Sequence, residues 1–232
     1  MPKTALPQLK SPFANRLRAR REKLTWWWAT RKFPLLKRAM DIVLTLGALV
    51  VLAPLFLLVA LAIKLYDRGP VFFWQERVGL HGVTFRFPKF RSMCVNAEEV
   101  RRAIEAQNQH GSDGVTFKMK RDPRITPIGR LIRRTSIDEL PQLWCVLRGD
   151  MTLVGPRPPL PSEVSRYTMM ERQRLSVTPG LTCVWQVNGR SEIPFPQQVR
   201  MDIDYIQNRS MTEDVKLIAK TVPAVIRGRG AY

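Results

Sequence analysis

From Ile42 to Ile63 the chain runs for 22 residues whose only polar side chain is Thr45. At 1.5 Å per residue a helix of that length reaches about 33 Å, enough to cross the hydrocarbon core of a bilayer. A core helix rarely reads apolar for so long, and a cleavable leader fits poorly because the run begins only after residue 41 and exceeds the usual apolar segment. Pro54 divides the run. It removes the bond to the carbonyl of Val50 and predicts a kink there, while Gly47 lowers helix strength further.

The flanks bear on topology. Arg31, Lys32, Lys37 and Arg38 precede the run, and Lys64, Arg68 and Arg77 follow it. Basic residues favour the cytoplasmic side, so a straight span would strand one cluster on the wrong face. A re-entrant helix broken at Pro54 satisfies both clusters. A tilted single span is the alternative, since proline is tolerated in spanning helices.

This divides the chain into residues 1–36, a basic Trp-containing interfacial segment; 37–68, the re-entrant membrane helix; and 69–232, a globular cytoplasmic domain. The first 40 residues hold eleven Lys/Arg against one acid, Glu22, with Trp26, Trp27 and Trp28 among them. Cations beside indole rings suit an anionic membrane interface; a disordered basic tail is the competing reading. Over the whole chain 38 basic residues face 19 acidic ones. A net charge of +19 points to a polyanionic partner, whether nucleic acid, anionic lipid or a phosphorylated substrate. Three scattered cysteines, Cys94, Cys145 and Cys183, indicate neither a disulfide framework nor a zinc site and read as reduced and buried. With only His81 and His110, acid–base chemistry must come from carboxylates, lysine or arginine.

Beyond the membrane run, residues 71–79 read as a strand or interfacial segment and 83–93 as a strand ending in a basic cluster. Residues 96–109 read as an exposed helix, and further helices are expected over 162–175, 196–209 and 212–227, with 179–190 a loop. The central stretch is 133–158, RRTSIDELPQLWCVLRGDMTLVGPRP. Asp138 is placed as the N-cap of a helix running from Gln142 to about Arg148 and stopping at Gly149, with Pro141 where a missing N–H is harmless. The helix end, with Arg133 and Arg134, should keep Asp138 ionised at neutral pH. An ionised carboxylate there can serve as base, metal ligand or nucleophile. Around it, Lys89, Arg91, Asp122, Arg124, Arg133, Arg134, Asp150, Arg157 and Arg190 would make a receptor for a diphosphate and a divalent cation. The prolines either side of Arg157 stiffen its segment and pre-aim its side chain. Gly155 and Gly189 read as turn residues.

The ordered motifs KFRSM (89–93), DPRITPIGR (122–130), SIDELPQLW-V-RGDM-LVGPRP (136–158), PGLT-VWQVNGR (179–190) and D-DYI-N-S--ED (202–214) strongly resemble the bacterial sugar transferases, the monotopic phosphoglycosyl transferases. The resemblance runs from about residue 37 to the terminal Gly-Ala-Tyr. It implies a mainly helical α/β monotopic membrane protein with a re-entrant helix, and a small cytoplasmic catalytic domain with amphipathic interfacial helices around a short sheet. It also implies transfer of a sugar 1-phosphate from a UDP-sugar to undecaprenyl phosphate, release of UMP and a requirement for Mg²⁺, as the first membrane step of exopolysaccharide or O-antigen assembly. By position Asp138 looks like the nucleophile that forms a covalent phosphosugar and Glu139 the residue that holds the metal. Lys89, Arg133, Arg157, Arg190 and Asp214 match site-lining positions, and Pro54 matches the proline that breaks the family's membrane helix. The insertion at 96–120 and the terminus resemble members that transfer a hexose 1-phosphate such as glucose or galactose.

Two positions depart from the pattern. Ala53 stands where a serine often precedes the proline, and Cys183 where glycine is usual after PGLT. If the latter requires φ > 0, the loop carrying Arg190 is altered.

The implied setting is the cytoplasmic face of the inner membrane, with anionic lipid as a further partner; nucleic acid is not expected, and homo-oligomerisation is left open. Two rivals stand beside this reading. One is the same transfer by direct displacement in a ternary complex, with Asp138 or Glu139 as base. The other is a non-enzymatic, membrane-tethered basic binding module, which explains the charge but not the ordered carboxylates and Pro-Arg-Pro.

Overall fold

The apolar run forms helix α1, Phe33–Asp67, whose assignment continues through Pro54. The computed structural model describes residues 33–97, 99–100 and 122–227. The basic Trp-containing segment up to residue 32 and most of the helix expected at 96–109 lie outside the described residues. Among those described, α1 is the one helix long and apolar enough to cross a membrane, with a mean hydropathy of 2.9 over its most apolar window.

From Asp41 onward the described chain groups into one unit, and α1 contributes a stripe to it on both sides of Pro54. Asp41 Oδ2 accepts from Thr152 Oγ1 at 2.6 Å and Oδ1 accepts from Leu153 N at 3.1 Å. Ala48, Leu49, Leu52 and Phe56 pack on the main core, and Val59 and Ile63 form a second cluster with Phe90 and Ile132. These positions recur at helical spacing and so share one face. Val43, Val50, Val51, Leu57, Leu58, Leu61 and Leu65 are exposed. An exposed apolar surface of that extent suits lipid.

Strands β1, Phe72–Val78, and β2, Thr84–Phe90, form an antiparallel hairpin with Phe72 opposite Phe90. The second was legible as a strand, and the first resolves to the strand of its two readings. Alternation along β2 sends Phe85 and Phe87 into the main core and Phe90 into the second cluster. Helix α2, Pro127–Arg134, is capped by Thr126, whose Oγ1 accepts from Gly129 N at 2.9 Å. A 3₁₀ turn, Ile137–Gln142, then leads into α3, Leu143–Arg148, which stops at Gly149 as expected.

Strand β3, Thr152–Val154, pairs in parallel with β4, Gly180–Thr182. The stretch 179–190 is therefore not the expected loop. It holds β4 and a short helix as well, because Gly155 and Gly180 let two backbones meet: a Cβ on Gly180 would lie 2.1 Å from Gly155 N. A three-residue strand is too short to announce itself by periodicity.

The helix expected at 162–175 is also broken. It divides into α4, Pro161–Val164, α5, Met169–Arg172, and a 3₁₀ turn, Gln173–Ser176. Thr168 starts the second piece through a capping box with Glu171, whose Oε2 accepts from Thr168 N at 2.6 Å. Helix α6, Val184–Asn188, follows β4. Helices α7, Phe195–Asn208, and α8, Met211–Arg227, match the expected bounds to within one residue. The result is mostly helical, with two two-stranded sheets among the described residues. All three cysteines are free; Cys145 and Cys183 are buried, Cys94 only partly.

Candidate active site

The carboxylate pair is delivered by a strained turn. After α2, Ser136 takes φ 56°, in the left-handed region, where a side chain other than glycine's is disfavoured. The chain then winds as the 3₁₀ turn. Asp138 is consequently not an N-cap: Ser136 holds that position, and Asp138 is the second residue inside the turn. The α-helix starts only at Leu143, because Pro141 within the turn has no N–H to give to α-helical bonding.

Glu139 is gripped from two elements. Lys89, on β2, donates from Nζ to Oε1 at 2.8 Å, and Arg157 donates from Nη2 to Oε1 at 2.6 Å and from Nη1 to Oε2 at 3.2 Å. Arg157 is aimed by more than its flanking prolines. Gly155 N donates to Thr182 O at 3.0 Å, Gly180 N to Pro156 O at 2.8 Å, and Val78 N to Pro159 O at 2.9 Å. Arg77 Nη1 adds a bond to Pro158 O at 3.1 Å. Burial alone would raise the Glu139 carboxyl, but Arg157 and Lys89 outweigh it and hold it well below the usual range.

Asp138 lives in the opposite environment. It is 8% exposed and makes no side-chain hydrogen bond to a described residue. Burial, and then the Glu139 charge, push its carboxyl up to about 6, against the pull of Lys89, Arg133 and Arg157. The sequence argument expected the helix end and the arginines to depress it; desolvation wins instead. At pH 7 the group is still mostly ionised.

Both carboxylates line a cavity of about 1010 Å³, together with Lys89, Arg91, Arg124, Arg133, Ser136, Arg157, Trp185, Gln186 and Arg190. Six expected cations therefore converge: Lys89, Arg91, Arg124, Arg133, Arg157 and Arg190. Neither Arg133 nor Arg190 makes a side-chain hydrogen bond to a described residue, so both can receive an anion. Arg190 has φ 53°, a strained backbone that turns it after Gly189. Cys183 has φ −145°, extended backbone open to any residue, so its departure from glycine leaves the Arg190 loop undisturbed.

Asp214 does not join them. It is fully buried away from the cavity and accepts from Tyr205 Oη at 2.6 Å, while Tyr205 Oη also lies 3.1 Å from Val154 O. Its part is to support the strand that leads into Gly155-Pro156-Arg157. Sequence reasoning missed Trp185, whose Nε1 donates to Asp202 Oδ2 at 3.3 Å, because α6 was read as loop. It did place Arg91 in the phosphate receptor, and period-two spacing puts Arg91 on the face of Lys89.

The donor set fits the expected Mg²⁺ in one way. Among the described residues no group of three or more His, Cys, Asp or Glu could hold a metal, so a protein cage is absent. Glu139 is not the free carboxylate expected, since two cations occupy it, yet Oε2 accepts a single bond and Asp138 is unbonded. Hard carboxylate oxygens of this number suit Mg²⁺ that arrives with a diphosphate and draws its other ligands from phosphate and water.

Comparison with known proteins agrees with the motifs. The family described as "Bacterial sugar transferase" matches residues 32–228. The galactosyl transferase CpsE of Streptococcus agalactiae serotype III is 48% identical over 166 residues, 71% of this chain and 36% of that protein. The exopolysaccharide production protein ExoY of Sinorhizobium fredii is 39% identical over 84% of this chain and 88% of its own length. The undecaprenyl-phosphate galactose phosphotransferase of Salmonella typhimurium is 41% identical over 88% of this chain and 43% of its own length. The chain thus spans less than half of two of these relatives and most of the third.

Proposed function

The chain belongs to the bacterial sugar transferase family, and from that premise we propose that it is a transferase moving a sugar 1-phosphate from a UDP-sugar to undecaprenyl phosphate with release of UMP. The observation that carries this reading is the adjacent pair Asp138 and Glu139, whose surroundings push their carboxyls in opposite directions. Paired groups driven apart in this way divide a reaction's roles between them.

In the proposed mechanism Arg133 and Arg190 receive the donor diphosphate, and burial excludes water from the reacting centre. An Asp138 oxygen attacks the sugar-bearing phosphorus as the bond to the bridging oxygen breaks, and UMP leaves with that oxygen. The product is an aspartyl phosphosugar. An oxygen of the acceptor phosphate then attacks the same phosphorus, the bond to Asp138 breaks, and the carboxylate is restored. One phosphoanhydride replaces another, so little net driving force is needed. Glu139, with Lys89 and Arg157, fixes the charge pattern around the reacting phosphorus and would share in holding Mg²⁺. Bound there, Mg²⁺ would neutralise developing charge on the departing phosphate.

The setting we propose is monotopic: α1 enters and leaves the membrane from the cytoplasmic face, with the domain after residue 68 at that face and residues 1–36 on anionic lipid. Contacts of α1 with the rest of the unit at Asp41 and again at Val59 and Ile63 support this. Points that far apart on a helix perpendicular to the bilayer could not both touch a domain outside it. The relatives' names are divided between galactose and glucose, so the sugar we propose is one of these hexoses, and exopolysaccharide assembly is the pathway two of those names suggest. A panel of UDP-sugars with undecaprenyl phosphate, scored by UMP release with and without EDTA, tests the reading. Metal-dependent release from a UDP-hexose is expected, and none from any donor would refute it.

A further inference from the structure

Arg91 lines the cavity with Lys89 but has a different environment. The residue is 8% exposed, and its Nη2 is paired with Asp67, the last residue of α1. Its Nε and Nη1 are shut off from solvent and have no partner. Gly69 leaves the room, since a Cβ there would lie 2.2 Å from Nη1. Buried donors of a charged group left without acceptors are costly, and an incoming anion relieves that cost.

The neighbouring wall indicates which anion. It is made by Pro70, Phe72, Phe73, Phe90 and Met93. Phe72 stacks on Phe90 with ring centroids 5.3 Å apart, and Phe90 meets Phe56 of α1 edge-on at 5.5 Å. Phe72 and Phe73 remain 43% and 51% exposed. An apolar, partly open wall therefore leads from the lipid-suited helix to a buried guanidinium, with the carboxylate pair in the same cavity. The rest of the lining is apolar in part through Leu181, Val187, Ile218 and Val222, but among the described residues it carries a single aromatic, Trp185.

We propose that Arg91, tethered by Asp67, binds the phosphate of the acceptor, a phosphomonoester on a long apolar chain, and that Phe72 and Phe73, backed by the buried Phe90, take the first part of that chain. This rests on the transferase reading above and assigns the acceptor to one wall of its site. The bound phosphate oxygen forms its bond to phosphorus as the Asp138 carboxylate departs, and no further reactant is consumed.

The test uses the full chain in detergent micelles with a UDP-sugar that the wild type turns over. R91Q is expected to raise the KM for undecaprenyl phosphate about tenfold or more, the order of one charge-assisted hydrogen bond, with donor KM within about twofold. D67N removes the tether but keeps the cation, so its acceptor KM should move much less. Equal acceptor shifts in R91Q and D67N, or a donor KM that rises in step, would overturn the assignment and leave Arg91 a structural tether. Should R91Q fail to fold, R91K keeps the charge beside Asp67, and the same split between acceptor and donor KM is expected. Vesicles containing phosphatidic acid separate the acceptor from bulk headgroups: R91Q should bind them as the wild type does. Lost vesicle binding with an unchanged acceptor KM would overturn the proposal. A wild type that releases no UMP from any donor overturns the transferase reading and this assignment together, whereas the contrast of R91Q with D67N bears on the assignment alone.

Discussion

Asp138→Asn is expected to stabilise the protein while abolishing transfer. The Asp138 carboxyl is pushed from 3.8 to about 6 by burial and by Glu139, and roughly two pKa units at 1.36 kcal/mol each make about 3 kcal/mol. The sign follows from proton binding. Between about pH 4 and 6 the folded chain holds this proton more tightly than the unfolded one, so wild-type stability falls across that window as pH rises, and the full penalty applies above it. Asparagine carries no charge and escapes the penalty. Its advantage should be absent near pH 4, grow to about pH 6 and then level off. At about 2–4 °C per kcal/mol for a chain of this size, the midpoint at pH 7 should rise by roughly 6–12 °C. Circular dichroism melts of both proteins in detergent from about pH 4 to 8, beside a UMP-release assay, read both effects. An Asn variant less stable than wild type at pH 7, or an offset independent of pH, would refute the assigned environment of Asp138.

The same shift sets the acid limb of activity: kcat/KM should fall about tenfold per pH unit below about 6 as Asp138 protonates, and a profile flat to about pH 5 would contradict it. Arg157→Lys keeps the charge but loses the two-point hold on Glu139; turnover should drop on the order of 10²-fold with the fold retained. Near-normal turnover would make Arg157 a structural charge only. In a cysteine-free background, single cysteines at positions 20 and 70 should both be shielded from an impermeant thiol reagent in intact cells, and labelling of one alone would exclude the re-entrant topology.

What the sequence revealed follows from how local each signal is. The apolar run and the last two helices carry long periodic patterns, and the two helices were legible to within one residue; the first strands were legible only in part, with residues 71–79 left open between strand and interfacial segment. β4 escaped notice because its cause is a contact between Gly155 and Gly180, 25 positions apart, which no local pattern records. Residue types in the site were legible too: Lys89, Arg133, Arg157 and Arg190 do converge on Asp138 and Glu139. Their electrostatics were not. The direction of the Asp138 shift depends on desolvation, and the occupation of Glu139 by two cations depends on β2 and the Pro-Arg-Pro segment meeting across the fold. Asp214 shows the same limit in reverse, since a motif position gave its identity but only packing shows it bonded to Tyr205 in the core.

The central claim is that Asp138 takes the phosphosugar before the lipid does, and intact-protein mass spectrometry tests it directly. Protein trapped after mixing with its UDP-sugar, without lipid acceptor, should gain one sugar phosphate at most and release a matching amount of UMP. The adduct should map to Asp138, disappear when undecaprenyl phosphate is added, and be absent from Asp138→Asn. Unmodified protein under conditions that support turnover, with initial-rate lines that intersect instead of running parallel, would contradict the account and place donor and acceptor together in a ternary complex.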